Sequence, residues 1–258
     1  MSTPLRIAVL ECDTPLDRTK SRYGSYGGVF ESLLQASVKL LNQSDKINPV
    51  TELEISKWDV VESDKYPSLE NIDAVLITGS KHNSYDDIPW INRLVDFISK
   101  ILTQDRVRII GVCFGHQILG RALGAKVGPN EQGWEISVHD MNLTDKGKEL
   151  FGTNKLCLQQ MHRDVVHYCP SNVTLLGSSS ICDVQGMYMP GHFISVQGHP
   201  EFTKDIVAEI LDARHDAGIF SSEIYEDGVA RLGNEHDGLL ISSLDIIAEY
   251  HSFKQVGS

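Results

Sequence analysis

The sequence predicts an α/β fold: a mostly parallel central sheet flanked by helices, with a small antiparallel addition. Three observations predict it. Short apolar runs alternate with helical stripes through the first half of the chain. Each run is apolar at successive positions, so neither of its faces is left to water, as in a sheet covered on both sides. After Gly124 the alternation gives way to short strand-like pieces separated by turns.

In order, residues 5–10 read as a strand, 12–27 as a polar loop, and Phe30, Leu33, Leu34, Val38 and Leu41 as the buried stripe of a helix. Residues 74–77 form the next strand, followed by a helix with Ile91, Leu94, Val95, Ile98 and Leu102 on one face. A strand at 107–113 then runs into a helix at 116–123. The strand-like pieces are 136–139, 173–176, 186–189 and 193–197, read as antiparallel additions to the sheet or a small subsheet. Helices at about 205–217 and 238–252 close the chain, joined by a polar link at 218–237. Repeats, low-complexity tracts and long linkers are missing, so residues 1–258 read as one domain, with 218–258 as a C-terminal link and helix.

Composition narrows the function classes. At 258 residues the chain can bury a full core. The 23 Lys and Arg against 35 Asp and Glu give a formal charge of −12, without a basic stripe. Nucleic acid and anionic membranes are therefore poor partners. The apolar runs fall far short of the ~20 residues of a membrane helix, and the N-terminus lacks the pattern of a signal peptide. Cys12, Cys113, Cys157, Cys169 and Cys182 lack the paired spacings of a zinc or redox site. These features predict a reduced, cytoplasmic protein with neither metal nor cofactor.

The most informative segment is 108–117, RIIGVCFGHQ, in which a hydrophobic strand runs straight into a helix and Gly111 and Gly115 flank Cys113 at minus two and plus two. This is the pattern of a nucleophile elbow. Such a turn thrusts its side chain beyond the sheet edge, and the glycines remove Cβ atoms that would block it. Free N–H groups at the start of the helix favour thiolate over thiol. For the other four cysteines the plainer reading holds: small buried hydrophobes.

A cysteine nucleophile needs a base and a group to orient that base. Segment 193–202, FISVQGHPEF, supplies both: in an extended chain His199 and Glu201 share a face, and Pro200 fixes the backbone between them. His116, although adjacent to the cysteine, is expected to turn into the helix and serve packing.

GVCFGHQ together with GHPEF resembles the class I glutamine amidotransferase family, whose Cys-His-Glu triad hydrolyses the side-chain amide of glutamine; the similarity runs from Arg6 to about Ala217. The resemblance implies a flavodoxin-like architecture, with Cys113 as nucleophile, His199 as base and Glu201 as its orienter. It implies oxyanion-hole donors at the backbone N–H groups of Gly79 and Phe114, and substrate contacts from Gln117, His162 and Asp164. The implied ligand is glutamine or a small γ-glutamyl compound, with a synthetase or other ammonia acceptor as a further partner.

The chain departs from synthetase-linked members of that family. Its oxyanion loop reads Thr-Gly-Ser at 78–80, where many of those members carry Gly-Gly-Pro, and residues after the similar region amount to one link and one helix. Segments 79–90, 113–117 and 133–135 are more similar to a stand-alone fungal and plant branch that includes γ-glutamyl peptidases. The first reading is a glutaminase-type hydrolase releasing ammonia from glutamine; the alternative is a γ-glutamyl peptidase acting on glutathione or its conjugates. A third class, a non-catalytic γ-glutamyl ligand sensor or partner subunit, would have no need of Cys, His and Glu in register. Loops 13–27, 81–89 and 129–135 are expected at the carboxyl ends of strands, where open α/β sheets bind ligands. Arg18, Lys20, Arg22, Lys81 and Arg163 are candidates there for meeting a carboxylate; Asp86 and Asp87 read as a solvated turn.

Overall fold

The computed structural model describes residues 4–42 and 52–238. Its chain begins with β1 (Leu5–Glu11), α1 (Asp17–Tyr23), α2 (Tyr26–Asn42), β2 (Leu53–Asp59), β3 (Ala74–Ile77), α3 (Pro89–Leu102), β4 (Arg108–Val112) and α4 (Phe114–Ala122). Then follow β5 (Val127–Pro129), β6 (Glu135–Leu143), α5 (Asp145–Phe151), β7 (Lys155–His162), β8 (Asp164–Val166), β9 (Thr174–Ser178), β10 (Gly186–Met189) and β11 (Phe193–Val196). Helices α6 (Lys204–Asp216) and α7 (Ser222–Arg231) come last.

Nine strands form one sheet in the order β2-β1-β3-β4-β11-β10-β9-β6-β7. The first five are mutually parallel, and β10, β9, β6 and β7 continue the sheet antiparallel. β5 and β8 pair separately. The pieces read as antiparallel all extend the main sheet, as β6, β9, β10 and β11, but β11 lies parallel to β4 and antiparallel only to β10; the separate β5–β8 pair is built from other segments.

Alternation along β1 shows why the parallel strands are apolar throughout. Leu5, Ile7 and Val9 enter one core with Phe30 and Leu34 of α2, while Ala8 and Leu10 enter the other with Ile91, Leu94 and Ile98 of α3 and Ile118 and Leu119 of α4. A third cluster joins α6 and α7 to Ile136 and Met161. Order reverses at β1, whose neighbours β2 and β3 lie on either side, and such a switch point opens a crevice at the carboxyl ends of the strands.

Several elements escape the sequence reading. Loop 12–27 contains α1, and the link at 218–237 contains α7, capped by the Ser221 hydroxyl accepting from Ile224 N–H. α7 buries only Gly228, so its apolar stripe is thin. β2 is an edge strand with Glu54, Lys57 and Asp59 exposed, and charges hide its alternation. β7 carries Gln159, Gln160 and His162 at buried positions, polar residues that do not read as strand core. The expected helix at 238–252 lies outside the described residues, apart from Gly238.

Candidate active site

Cys113 is the single residue between β4 and α4, with φ 52° and ψ −101°. A left-handed φ on a non-glycine residue costs about 1–3 kcal/mol. The surroundings impose it: Cys113 N–H donates to Val196 O at 2.9 Å, and Cys113 O accepts from Gln117 N–H at 3.1 Å. The turn closes only because Gly115 lacks a Cβ, which would stand 2.4 Å from Ile77 O; one on Gly111 would meet Gly115 O at 2.8 Å.

His199 and Glu201 meet this cysteine from the exit of β11. The strand ends at Val196, so His199, Pro200 and Glu201 are not strand residues as expected; they follow it in a turn, with His199 bridged to Gln159. His199 N–H donates to Gln159 O at 2.7 Å, and the imidazole Nδ1 lies 2.8 Å from Glu201 Oε1. The ring stacks on Phe202 with centroids 3.9 Å apart, which fixes its plane. Burial disfavours the imidazolium, but the charges of Glu201 and Cys113 and hydrogen bonds to both overcome it and push His199 up to about 10. Cys113, His199 and Glu201 are all buried.

Gly79 faces the same centre. A Cβ there would stand 2.7 Å from His199 Cε1 and 3.7 Å from Cys113 Cβ. Its loop is pinned to the exit of β1: Thr78 Oγ1 accepts from Cys12 N–H, Ser80 Oγ donates to Cys12 O, and Asp13 accepts from Lys81 N–H and Nζ. Phe114 opens α4, so its N–H has no acceptor within the helix.

Two cavities of about 220 Å³ each adjoin these three residues. The first contains Cys113, Gln117, Trp134, His162, Arg163 and Asp164. The second contains Tyr26, Gly79, His199, Glu201, Phe202 and Ile210. Lys81, Met161, Arg214 and Ile219 border both. All three loops expected at the site contribute: Asp13 and Leu16, Lys81 and His82, and Trp134.

The expected substrate residues line the first cavity in different states. Gln117 is engaged at both ends, its Oε1 accepting from Ser84 Oγ at 2.9 Å and its Nε2 donating to Asp164 O and Gln197 Oε1. It ties three segments together. His162 donates toward Glu135 Oε2 at 2.9 Å and contacts Asp164 O at 3.2 Å. Asp164 has a buried Oδ1 without a hydrogen-bond partner, and burial raises its carboxyl above the usual range although Arg163 stands 3.5 Å away.

Of the basic candidates, Arg18 pairs with Glu209 and Asp212, Arg22 with Asp205, and Lys81 with Asp13. Arg18 and Arg22 border neither cavity. Asn83 and Asn92 bond the carboxylates of Asp86 and Asp87, which makes that turn an Asn-Asp latch. Sequence reasoning missed Arg214. The signal was its place four residues after Ile210 and eight after Ile206, a cation on the apolar face of α6.

His116 packs as expected: its ring nitrogens contact Ser195 Oγ and Val184 O, and burial drives it down to about 3, so it stays neutral. The fold also gathers Glu135, His162 and Cys182, with one donor atom of each within 4.8 Å of the others, behind the first cavity. Glu135 Oε2 there accepts from His162 and from Gln185 Nε2 at 2.6 Å, and Cys182 Sγ faces Val184 O. Burial raises the Glu135 carboxyl, but the bond and charge of His162 outweigh it and hold it below the usual range.

The model of glutamine amidotransferase class I matches residues 25–211, a stretch that carries Cys113, His199 and Glu201. The chain belongs to that family. Among class I glutamine amidotransferase relatives, a glutamine amidotransferase-like protein of Schizosaccharomyces pombe is 32% identical over 94% of this chain and 98% of its own length. γ-Glutamyl peptidase 3 of Arabidopsis thaliana is 30% identical over 78% of each chain. A glutamine amidotransferase from Thermotoga maritima shares the class I fold at a TM-score of 0.72 and 18% identity, with both chains fully covered. The family match ends at residue 211, before Arg214 and α7.

Proposed function

We propose that the chain hydrolyses γ-glutamyl amide bonds through Cys113, His199 and Glu201. The observation that carries the reading is the elbow cysteine paired with a buried imidazole that a carboxylate orients at 2.8 Å. The Cys113 sulfur attacks the γ-carbonyl carbon, and N–H groups of Gly79 and Phe114 receive the oxyanion, each such donor typically stabilising the transition state by about 2.7–4 kcal/mol. His199 gives its proton to the departing nitrogen as the C–N bond breaks, leaving a thioester on Cys113. A water then attacks the thioester, His199 takes its proton, and glutamate and the thiolate are released. Glu201 holds Nδ1 throughout, so Nε2 faces the chemistry. Gln117, His162 and Asp164 border the acyl side, where the Asp164 carboxylate, 3.5 Å from Arg163 but without a hydrogen bond at Oδ1, is the candidate partner of the substrate ammonium. The five cysteines are free, the state that a reducing cytoplasm maintains.

Ammonia would need little room on the His199 side, yet that side holds a cavity of about 220 Å³ with Leu16, Tyr26, Phe202 and Ile210 on its walls. This favours a leaving group larger than ammonia, and relatives that bear the name γ-glutamyl peptidase support the same reading. The purified chain, incubated with glutamine and with γ-glutamyl peptides, is expected to release amino acid or peptide amines faster than ammonia. Ammonia from glutamine as the faster product returns the glutaminase reading. Neither product, with no Cys113 thioester in intact mass, rejects the hydrolase.

A further inference from the structure

Arg214 reaches the site from the last turn of α6. Its guanidinium lies over the Trp134 ring at 4.7 Å and near the Phe220 ring at 5.7 Å, so two aromatic faces fix the plane of the fork. Its Nη1 is buried and has no hydrogen-bond partner. Among the described residues it makes no ion pair, whereas the other Lys or Arg on the His199 side, Lys81, is held by Asp13 at 2.9 Å. A buried, charged donor without an acceptor is costly to maintain, and a fixed fork bordering a cavity is the arrangement that binds a carboxylate through parallel hydrogen bonds.

We propose that Arg214 binds the carboxylate of the amino acid that leaves when a γ-glutamyl–amino acid bond is cut, and so selects such peptides over glutamine. The inference rests on the hydrolase reading above. In a γ-glutamyl dipeptide the leaving carboxylate is separated from the scissile nitrogen by one carbon, so it must lie close to both Cys113 and His199. Arg214 borders the cavities of both residues and feels the charge at Cys113. Glutamine carries only hydrogens at that nitrogen and leaves the fork empty. Arg163, 3.5 Å from Asp164, borders the first cavity alone and is the nearer cation for the α-carboxylate of the glutamyl group, whereas Arg214 also borders the second cavity, where the leaving group lies.

The test is the ratio of kcat/KM for γ-glutamyl-alanine to that for γ-glutamyl-alaninamide, which differ only at that carboxylate. Wild type should favour the acid by roughly tenfold or more, and Arg214→Gln should bring the ratio close to one. A wild-type ratio near one overturns the proposal. So does an equal fall on both substrates with the ratio kept, which would put Arg214 on the α-carboxylate. If Arg214→Gln fails to fold, Arg214→Lys, with the charge but not the fork, should lower the ratio roughly threefold; an unchanged ratio overturns the proposal. Calorimetric binding of the same two compounds to Cys113→Ser protein separates this inference from the catalytic one. Tighter binding of the acid that is weakened in Cys113→Ser/Arg214→Lys sustains the Arg214 site even where no turnover is found, and equal binding of acid and amide to Cys113→Ser protein rejects it.

Discussion

His199 Nδ1 stands 2.8 Å from Glu201 Oε1 across Pro200, in a turn that begins after β11 has ended. The carboxylate reaches the imidazole because the backbone bends at the proline, and the His199 amide is tied to Gln159 of β7. His199 and Glu201 therefore leave the parallel part of the sheet at β11 and are tied across to its antiparallel part at β7, while Cys113 sits at the end of parallel β4.

Loss of the imidazole removes thiol activation and leaving-group protonation together, whereas Glu201→Gln keeps the shape and loses only the charge that orients the ring. His199→Ala should lower kcat/KM by about 10³-fold, within the usual range for general acid–base catalysis, and Glu201→Gln by less. Steady-state kinetics on the preferred γ-glutamyl substrate checks the order; equal activity of His199→Ala and wild type would remove His199 from the mechanism.

The same pair makes stability depend on pH. His199 is raised from an ordinary 6.5 to about 10, so its contribution is full below pH 6.5 and is lost as pH rises through about 10. Denaturant midpoints between pH 6 and 10 should fall for wild type and fall less for Glu201→Gln. Parallel curves for the two proteins would show that Glu201 does not set the His199 charge.

Cys113 should be alkylated before any other cysteine. Burial pushes up the thiols of Cys12, Cys157, Cys169 and Cys182, with Cys157 reaching about 11 and Cys182 about 12. A glutamine-like diazo-ketone at neutral pH should leave one adduct per chain, which peptide mapping places on Cys113. An adduct on Cys157, the half-buried thiol beside Asp140, would contradict the assignment.

Cys113, Gly111 and Gly115 are legible in sequence because an elbow is local: a strand, one residue and a helix fix it within a few positions. The parallel half of the fold is legible for the same reason, since each strand is an apolar run such as Ala74–Ile77. Reading is poorest where polar residues are buried by distant partners. Gln159, Gln160 and His162 lie in a sheet core that β6, Gln185 and His199 help to complete from elsewhere in the sequence. Arg214 is in the same position, because Trp134 and Phe220, which hold it, lie 80 residues before it and six after. Arg18 and Arg22, chosen for their loop, were already spoken for by acidic residues on α6.

Two glycines should separate catalysis from folding. Alanine at Gly79 meets the edge of the His199 ring at 2.7 Å, a side chain that can move, so Gly79→Ala should fold while losing about 10²-fold in activity through a displaced base and oxyanion donor. Alanine at Gly115 meets the Ile77 backbone oxygen at 2.4 Å and must shift a core strand against a helix, so it should cost about 1–3 kcal/mol of stability. Melting curves and kinetics of both variants check this; a Gly79→Ala protein with full activity would place the oxyanion hole elsewhere.

The buried Glu135–His162 pair behind the first cavity should govern acid stability. Its carboxyl is held below its ordinary 4.5, so its contribution is present above that pH and is lost as pH falls through the lowered value. His162→Ala would leave Glu135 ionised, buried and short of a partner, a change that typically costs about 3–5 kcal/mol. Replacing both partners, as in Glu135→Gln with His162→Ala, removes the uncompensated charge and should recover part of that loss. Urea unfolding of the three variants at pH 7 and pH 4 decides: if His162→Ala is as stable as wild type at pH 7, the pair contributes nothing there, and His162 acts on the substrate side alone.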